Sequence, residues 1–383
     1  MVTFGTIMMA SASEGQAAAN GGSPWSIMLR DIIYLAIGIF AFYFAARVRL
    51  SQLIRKAPIL MIIGIGMLVA VKLVGVSANG GKRWLNLKVI NLQPSEIFKL
   101  LTVVFVAWLI EHYHNELNNW KQLAIWTLPI TFASGLVLLQ PDIGTASVIL
   151  VIAFSMFAVA GLSKWIQVRV GVIAVVGFFG YMQVKPYSAQ RFLAFLHPSQ
   201  NLASSGYQLY QSKIGFGAGG IAGLGLGHSR EKWGFLPNPH TDFVYTIIGE
   251  ELGLIGSLVV IALFVAFLFA AVRIAQQCSN QSYRFIVIGI TTWIIFEAIV
   301  NIASVVGWWA VTGIPLPFFS YGGTALITEL AAIGILYNIA HDTSRSGDLT
   351  FREHVVTDFR AQFETRTQPR QSRPRSYRDQ QEY

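Results

Sequence analysis

The tripeptide His240-Thr241-Asp242 carries the side chains best suited to proton transfer, because it joins a long polar stretch to an apolar run. A carboxylate at such a boundary is partly removed from water, which raises its pKa and suits it to general-base catalysis. An aspartate at this place could also cap the following helix, and the two roles are compatible. The sequence therefore predicts Asp242 as a catalytic base at the start of a helix.

The segment 206–256 surrounds this tripeptide and is the longest polar stretch between two apolar runs. Its aromatic residues, Tyr207 and Trp233 among them, argue against disorder, so we expect an ordered functional loop. Its first half is dense in glycine. Glycines there could turn backbone N–H groups toward phosphate or allow close helix packing in a membrane, and both explanations remain open. No spacing typical of a zinc site occurs in the segment.

Positive charge accumulates in segments that we predict to lie outside the cell, against the usual bias of Lys and Arg toward the cytoplasm. Arg83 belongs to the first such segment and Lys213 to the second. An anionic ligand at the outer surface or plain solvation explains this charge equally well. Lys99 follows Glu96 by three residues at the start of a predicted helix, so these two could form an ion pair.

Three further carboxylates have other expected roles. Asp142 stands at a tight corner, where capping of the next helix is favoured over catalysis. Glu297 and Glu329 lie near the middle of apolar runs. Because ionisable groups inside a membrane are costly and usually functional, these two are the main support for a transporter.

The composition predicts the elements that must position these residues. Of 383 residues, 54% are hydrophobic and only 12% are charged, which is typical of a helical membrane protein. We therefore expect an all-α polytopic protein with nine full transmembrane helices. Residues 1–12 are apolar but too short to span. The nine apolar runs are 25–46, 57–76, 96–114, 121–139, 143–162, 164–184, 243–272, 284–306 and 317–340.

Basic residues mark alternate loops as cytoplasmic, which places one long loop, residues 185–242, outside. The net charge of +9 is concentrated in short loops and in the tail, so it does not indicate nucleic-acid binding. Residues 1–342 form the predicted membrane domain. The Arg-rich tail, residues 343–383, is predicted to be disordered and cytoplasmic. The single Cys278 excludes an internal disulfide.

Six motifs resemble those of the SEDS (FtsW/RodA) family, named for shape, elongation, division and sporulation. They are NGGKRWLNL, LQPSEIFKL, QPDIGTA, GYQLYQSKIGFGAGGIAGLGLGHSREKWGFLP, HTDFVYTIIGEELGLIG and TGIPLPFFSYGGTAL, in family order from Asn79 to Leu326. The sequence around HTDF is more similar to FtsW than to RodA. The chain departs from the family pattern at Lys213, Asn238, Glu297 and Ala310, none of which is the candidate base.

The resemblance implies a peptidoglycan glycosyltransferase that polymerises lipid II into glycan strands at the outer face of the bacterial cytoplasmic membrane. Asp242 matches the family's catalytic aspartate. The residues that the resemblance assigns to substrate binding are Arg83, Trp84, Glu96, Lys99, Lys213, Ser229, His240, Thr241, Glu250 and Ser320. Arg83, Lys99 and Lys213 would meet the pyrophosphate, and a divalent cation, Mg or Mn, is another source of that positive charge.

The resemblance also implies partners and leaves alternatives open. A class B penicillin-binding protein and other division-machinery proteins would assemble with the chain, at the division septum. A lipid II flippase, a RodA-like role in cell elongation and a scaffold without catalysis remain alternatives. The family usually has ten spans, so the resemblance implies that the first residues are an N-terminal stub of a tenth helix, the outer end of the family's first span.

Overall fold

The computed structural model describes residues 1–19, 25–78, 81–86, 90–196, 205–237 and 239–343. Contacts divide the chain into one unit, Met1–Ala340, and a second, His341–Tyr383, of which only the first three residues are described. The predicted disordered tail therefore lies almost wholly outside the described residues, as does Asn238.

The described part of the chain is all-α apart from one small sheet. The helices of the described residues are α1 Val2–Ala19, α2 Trp25–Ala45, α3 Leu50–Arg55, α4 Ala57–Val74, α5 Pro94–Tyr113, α6 Trp120–Leu138, α7 Ile143–Val159, α8 Lys164–Val184, α9 Pro186–Leu196, α10 Ser205–Gly219, α11 Val244–Glu251, α12 Gly253–Gln277, α13 Gln281–Val306 and α14 Thr324–Thr343. Two short 3₁₀ helices, His114–Glu116 and Glu231–Trp233, lie between them.

Every predicted apolar run coincides with helix, and seven helices of the described residues are long and apolar enough to cross a membrane. Helix α7 is shorter, and α5 contains three charged residues. The run 243–272 is divided between α11 and α12, where Gly253 adopts a φ of +66° that favours glycine. The last run becomes helical only at Thr324.

The N-terminal segment differs from the predicted stub. Residues 2–19 form a continuous helix of 18 residues, which extends beyond the apolar residues 1–12 because its last residues are alanines, the strongest helix formers. The buried face of α1 includes Met8, Met9 and Ala12. A side chain at Gly15 would collide with the Lys232 carbonyl, so α1 packs directly on the long loop.

The sequence did not predict the three-stranded antiparallel sheet between α4 and α5. Its strands are β1 Val76–Ala78, β2 Gly81–Asn86 and β3 Asn91–Leu92, with β2 in the middle. Val76 pairs with Trp84, and Leu85 pairs with Leu92. Strand β2 thereby holds Arg83 against the corner between α6 and α7.

The centre of the bundle is formed by α5, α7 and α13, which pack on one another. The helices approach closely at Gly289 of α13, where an added Cβ would lie 2.6 Å from the Met156 sulfur and 2.8 Å from Val103 Cγ1. Small residues that let membrane helices approach closely are a common device of such bundles. Helix α8, by contrast, leaves almost its whole apolar surface exposed.

Candidate active site

Asp242 lies just before α11 and is held by two side chains. The Thr241 hydroxyl donates to Asp242 Oδ1 at 2.8 Å. The Asn301 amide of α13 donates to the Asp242 carbonyl and to the Ile314 carbonyl, each at 2.8 Å. Phe243, and not Asp242, occupies the cap position of α11, and that helix has no side-chain cap. The capping role considered for Asp242 is therefore wrong.

A small pocket borders the Asp242 side chain. It is lined by Asp242, Phe243, Asn301, Ser304, Val305, Val311, Thr312, Gly313 and Ile314. Because both N–H groups of the Asn301 amide donate to carbonyls, its Oδ1 is the atom left over, and it is buried without a hydrogen-bond partner among the described residues. The Thr312 hydroxyl is likewise buried without a hydrogen-bond partner among the described residues. The pocket therefore presents polar atoms beside the candidate base.

Burial raises the pKa of Asp242 above its ordinary value, while the Thr241 hydroxyl, a backbone hydrogen bond and the charge of Arg191 oppose that rise. Burial lowers the pKa of His240 to about 4, so its imidazole is neutral at pH 7. The His240 carbonyl accepts the Tyr321 N–H at 2.8 Å, which ties the candidate base's loop to the segment before α14. An imidazole with so low a pKa is a weak proton acceptor, so Asp242 stays the candidate base of this tripeptide.

Two cations approach the pocket from α9 and α10. Arg191 Nη1 donates to the Val311 carbonyl at 3.5 Å. Lys213 is exposed, and its Nζ lies 3.5 Å from the position that a Cβ of Gly307 would take, at the end of α13. Both cations belong to the loop predicted to lie outside, and its unexpected positive charge was the signal for both. Only Lys213 was assigned a substrate contact from the sequence.

Arg83 and Trp84 lie in β2, where Arg83 contacts the corner between α6 and α7. Arg83 Nε donates to the Gln140 carbonyl at 2.9 Å, Nη2 donates to the Pro141 carbonyl, and Nη1 lies 3.7 Å from Asp142 Oδ2. Asp142 in turn accepts the Thr145 N–H at 3.0 Å, which confirms its predicted cap of α7. Substrate binding by Arg83 and Trp84 stays a prediction.

Lys99 is completely buried inside the bundle, where its ammonium lies 2.6 Å from Glu96 and 2.5 Å from Glu297. This confirms the predicted pair of Glu96 and Lys99. Trp293 Nε1 donates to the second oxygen of Glu297 at 2.8 Å. Glu329 accepts the Phe318 N–H at 2.9 Å. Substrate binding by Glu96 and Lys99 stays a prediction, although the Lys99 ammonium has no access to solvent here.

Ser229 and Glu250 belong to a network that orders the loop before the candidate base. Glu250 accepts the Ser229 hydroxyl and the Arg230 N–H, the latter at 2.9 Å. Burial and the neighbouring Glu250 raise the pKa of Glu231 to about 7. Helix α10 contains the first glycines of the glycine-dense half, and there Gly219 lies against the Gly249 carbonyl, which is close helix packing. The glycines after the helix, Gly220, Gly223, Gly225 and Gly227, have positive φ and serve backbone turns.

Ser320 is half-buried, and its hydroxyl accepts the Leu316 N–H at 2.8 Å. Four of the predicted residues therefore lie on the loop of Asp242 or on segments near its pocket: Thr241, His240, Lys213 and Ser320. The structure leaves the remaining predicted residues in three other contact networks. No group of three or more His, Cys, Asp and Glu side chains in the described part of the chain could hold a metal ion.

A bundle in which seven described helices are long and apolar enough to cross a membrane is the architecture of a polytopic membrane protein. A family model described as cell cycle protein, FtsW/RodA/SpoVE, matches residues 1–345. The chain belongs to this family.

Individual relatives agree over nearly the whole length. A probable peptidoglycan glycosyltransferase FtsW from Coxiella burnetii is 35% identical over 352 residues, which are 90% of this chain and 94% of that protein. Stage V sporulation protein E of Bacillus subtilis is 34% identical, with 89% and 94% covered. A chain from a peptidoglycan synthase complex, described as coordinating polymerization and crosslinking, superposes with a TM-score of 0.71 at 28% identity, covering 88% and 96%. RodA of Thermus thermophilus shares the fold with a TM-score of 0.62 at 24% identity, covering 89% of this chain and 96% of that one.

Proposed function

We propose that the chain is a peptidoglycan glycosyltransferase that polymerises lipid II, with Asp242 as its general base. Relatives that cover nine-tenths of the chain are named probable peptidoglycan glycosyltransferases. The structure contains a carboxylate suited to this chemistry. The observation that carries the proposal is the environment of Asp242: a half-buried carboxylate beside a pocket with buried polar atoms.

The reaction joins two lipid-linked sugars. The acceptor hydroxyl oxygen forms a bond to the donor's anomeric carbon, and the bond from that carbon to the pyrophosphate oxygen breaks. The electron pair of the broken bond leaves with the pyrophosphate, and the hydroxyl proton passes to Asp242. One displacement inverts the anomeric centre and requires a single base. Thr241 and Asn301 hold that base in place through the carboxylate and the backbone.

The leaving pyrophosphate requires positive charge more than it requires an acid. Among the predicted cations, Lys213 lies at the end of α13, the helix that contributes Asn301 and Ser304 to the pocket. A divalent cation is a second source of charge, but the residues present near Asp242 do not form a protein metal site within the described ranges. We therefore derive no step through a metal.

A transporter of lipid II is the competing function, and it would rely on carboxylates in the middle of the membrane. Glu297 is paired with Lys99, and Glu329 is bonded to the Phe318 N–H. Both therefore have structural partners that account for their burial. The catalytic proposal is favoured because the pocket and its polar atoms lie at Asp242 instead.

The chain is further proposed to work with a class B penicillin-binding protein at the division septum. The support is the fold shared with a chain of a synthase complex in which polymerization and crosslinking are coordinated. Identity to FtsW proteins favours division over elongation.

Replacement of Asp242 by Asn tests the base. Asn keeps the size and one acceptor oxygen but cannot take a proton, so polymerisation of purified lipid II should fall about 10²–10⁴-fold. Because burial raises the pKa of Asp242, the wild-type rate should decline with falling pH already above the ordinary range of an aspartate, as the base becomes protonated. The thermal midpoint in detergent and binding of the partner should be unchanged.

Polymerisation by Asp242→Asn at nearly the wild-type rate would show that Asp242 is not the base. Movement of lipid II between leaflets by a wild-type protein that never polymerises it, partner present, would favour the transporter.

A further inference from the structure

Arg191 and Asp242 face the same small space across Gly313. A Cβ added to Gly313 would lie 3.5 Å from Arg191 Nη1 and 4.0 Å from Asp242 Oδ2. Gly313 has a φ of +75°, a conformation that side chains disfavour, and it is exposed. The backbone between α13 and α14 therefore leaves an open gap, bordered by the candidate base and by a guanidinium.

The two groups come from different elements. Asp242 is fixed through Asn301 of α13, whereas Arg191 belongs to α9 and contacts the Val311 carbonyl. Val311 and Gly313 belong to the same segment between α13 and α14, and this segment forms one side of the gap. Arg191 also acts on Asp242 through its charge, which favours the ionised carboxylate.

We propose that Arg191 binds a phosphate of the donor's diphosphate while Asp242 takes the acceptor's proton. This inference rests on the proposed function and names the anion contact of the same site. A guanidinium presents N–H donors in a planar fork that matches two phosphate oxygens. Charge develops on the oxygen that leaves the anomeric carbon, and a fixed cation there stabilises the transition state.

Other cations fit this role less well in the structure. The Arg83 guanidinium lies at the corner between α6 and α7, and the Lys99 ammonium is completely buried between two carboxylates. Lys213 is exposed at the end of α13 and offers a point charge without the planar fork. Arg191 is the cation for which the structure provides an open gap shared with the base.

The test compares Arg191→Gln and Arg191→Lys with Lys82→Ala, which removes an exposed cation from strand β2. Polymerisation of lipid II and its inhibition by inorganic pyrophosphate are measured at a fixed concentration of free Mg²⁺. We expect Arg191→Gln to lose about 10²-fold in rate. Arg191→Lys should retain part of the rate because it keeps the charge, and Lys82→Ala should match the wild type.

Binding separates a phosphate contact from an indirect effect on the base. Pyrophosphate should bind equally to the wild type and to Asp242→Asn, because binding requires no catalysis. It should bind at least about tenfold more weakly to Arg191→Gln. If Arg191 only kept Asp242 ionised, its loss would raise the pKa of Asp242, and a higher pH would restore the rate of Arg191→Gln.

Full recovery of Arg191→Gln at high pH, or pyrophosphate binding equal to that of the wild type, would overturn the proposal. If Arg191→Gln does not fold, Arg191→Lys takes its place in both assays. Wild-type behaviour of Arg191→Lys in both would then overturn the proposal. A wild type that never polymerises lipid II but loses pyrophosphate binding on Arg191→Gln would refute the proposed function and leave the anion site standing.

Discussion

Arg83 makes three separate contacts with the corner between α6 and α7, and this arrangement changes what its replacement should do. The side chain is 23% exposed, and two of its contacts are backbone carbonyls that would otherwise lie unpaired beside buried Gln140. A hydrogen bond that involves a charged group contributes about 1.5–3 kcal/mol to stability. At the scale of the residue, Arg83 therefore stabilises the corner between α6 and α7.

Replacement of Arg83 by Gln should accordingly lower the thermal midpoint in detergent, and the loss of polymerisation should follow the loss of folded protein. Lys82→Ala is the matched control, because the neighbouring cation is exposed and its removal should leave the midpoint unchanged. An unaltered midpoint together with slower turnover of lipid II would instead support the role in pyrophosphate binding.

Helix α1 is joined to the loop before the candidate base by one buried ammonium. Lys232 Nζ contacts Glu14 at 2.7 Å, the Ser11 hydroxyl at 3.2 Å and the Gly227 carbonyl at 2.9 Å. It also lies 3.6 Å from Glu251 at the end of α11, and Glu251 accepts the Ser11 hydroxyl at 2.6 Å. At the scale of the element, Lys232 connects α1, the loop and α11.

Replacement of Lys232 by Met keeps the apolar stem but leaves the fully buried Glu251 without a cation. Loss of one partner of a buried pair typically costs about 3–5 kcal/mol, and the cost here should be smaller because Glu14 is half exposed. We expect a lower thermal midpoint and faster proteolysis of the loop. The added change Glu251→Gln should recover part of the loss, because it removes the unpaired charge.

Arg230→Met is the control for this pair, since Arg230 is exposed and contacts Glu250 through its backbone. A thermal midpoint of Lys232→Met equal to that of Arg230→Met would contradict the connecting role.

The whole molecule has an orientation that loop charges predict and that labelling can test. Lys82 lies in an exposed position of β2, in a segment predicted to be external, and Gln277 ends α12 on the predicted cytoplasmic side. In a Cys278→Ala background, Lys82→Cys should react with a membrane-impermeant maleimide in intact cells. Gln277→Cys should react only after permeabilisation. The opposite pattern would reverse the predicted topology.

The sequence alone determined the class of the protein and the position of the candidate base. Long runs free of charge predict spanning helices wherever they occur, because a membrane requires every backbone polar group to be bonded internally. The corner at Asp142 and the pair of Glu96 and Lys99 were also predictable, because both depend on neighbours within four residues along the chain.

Only the tertiary structure decided which distant residues meet. The ion pair of Lys99 with Glu297 joins residues far apart in the chain, and the approach of Arg191 to Asp242 depends on how α9 packs against the segment before α14. The helical state of residues 13–19 also escaped prediction, since their small side chains carry little periodicity and α1 is held by the loop around Lys232. Contacts of this kind follow from the packing of whole helices, which no local pattern of residues encodes.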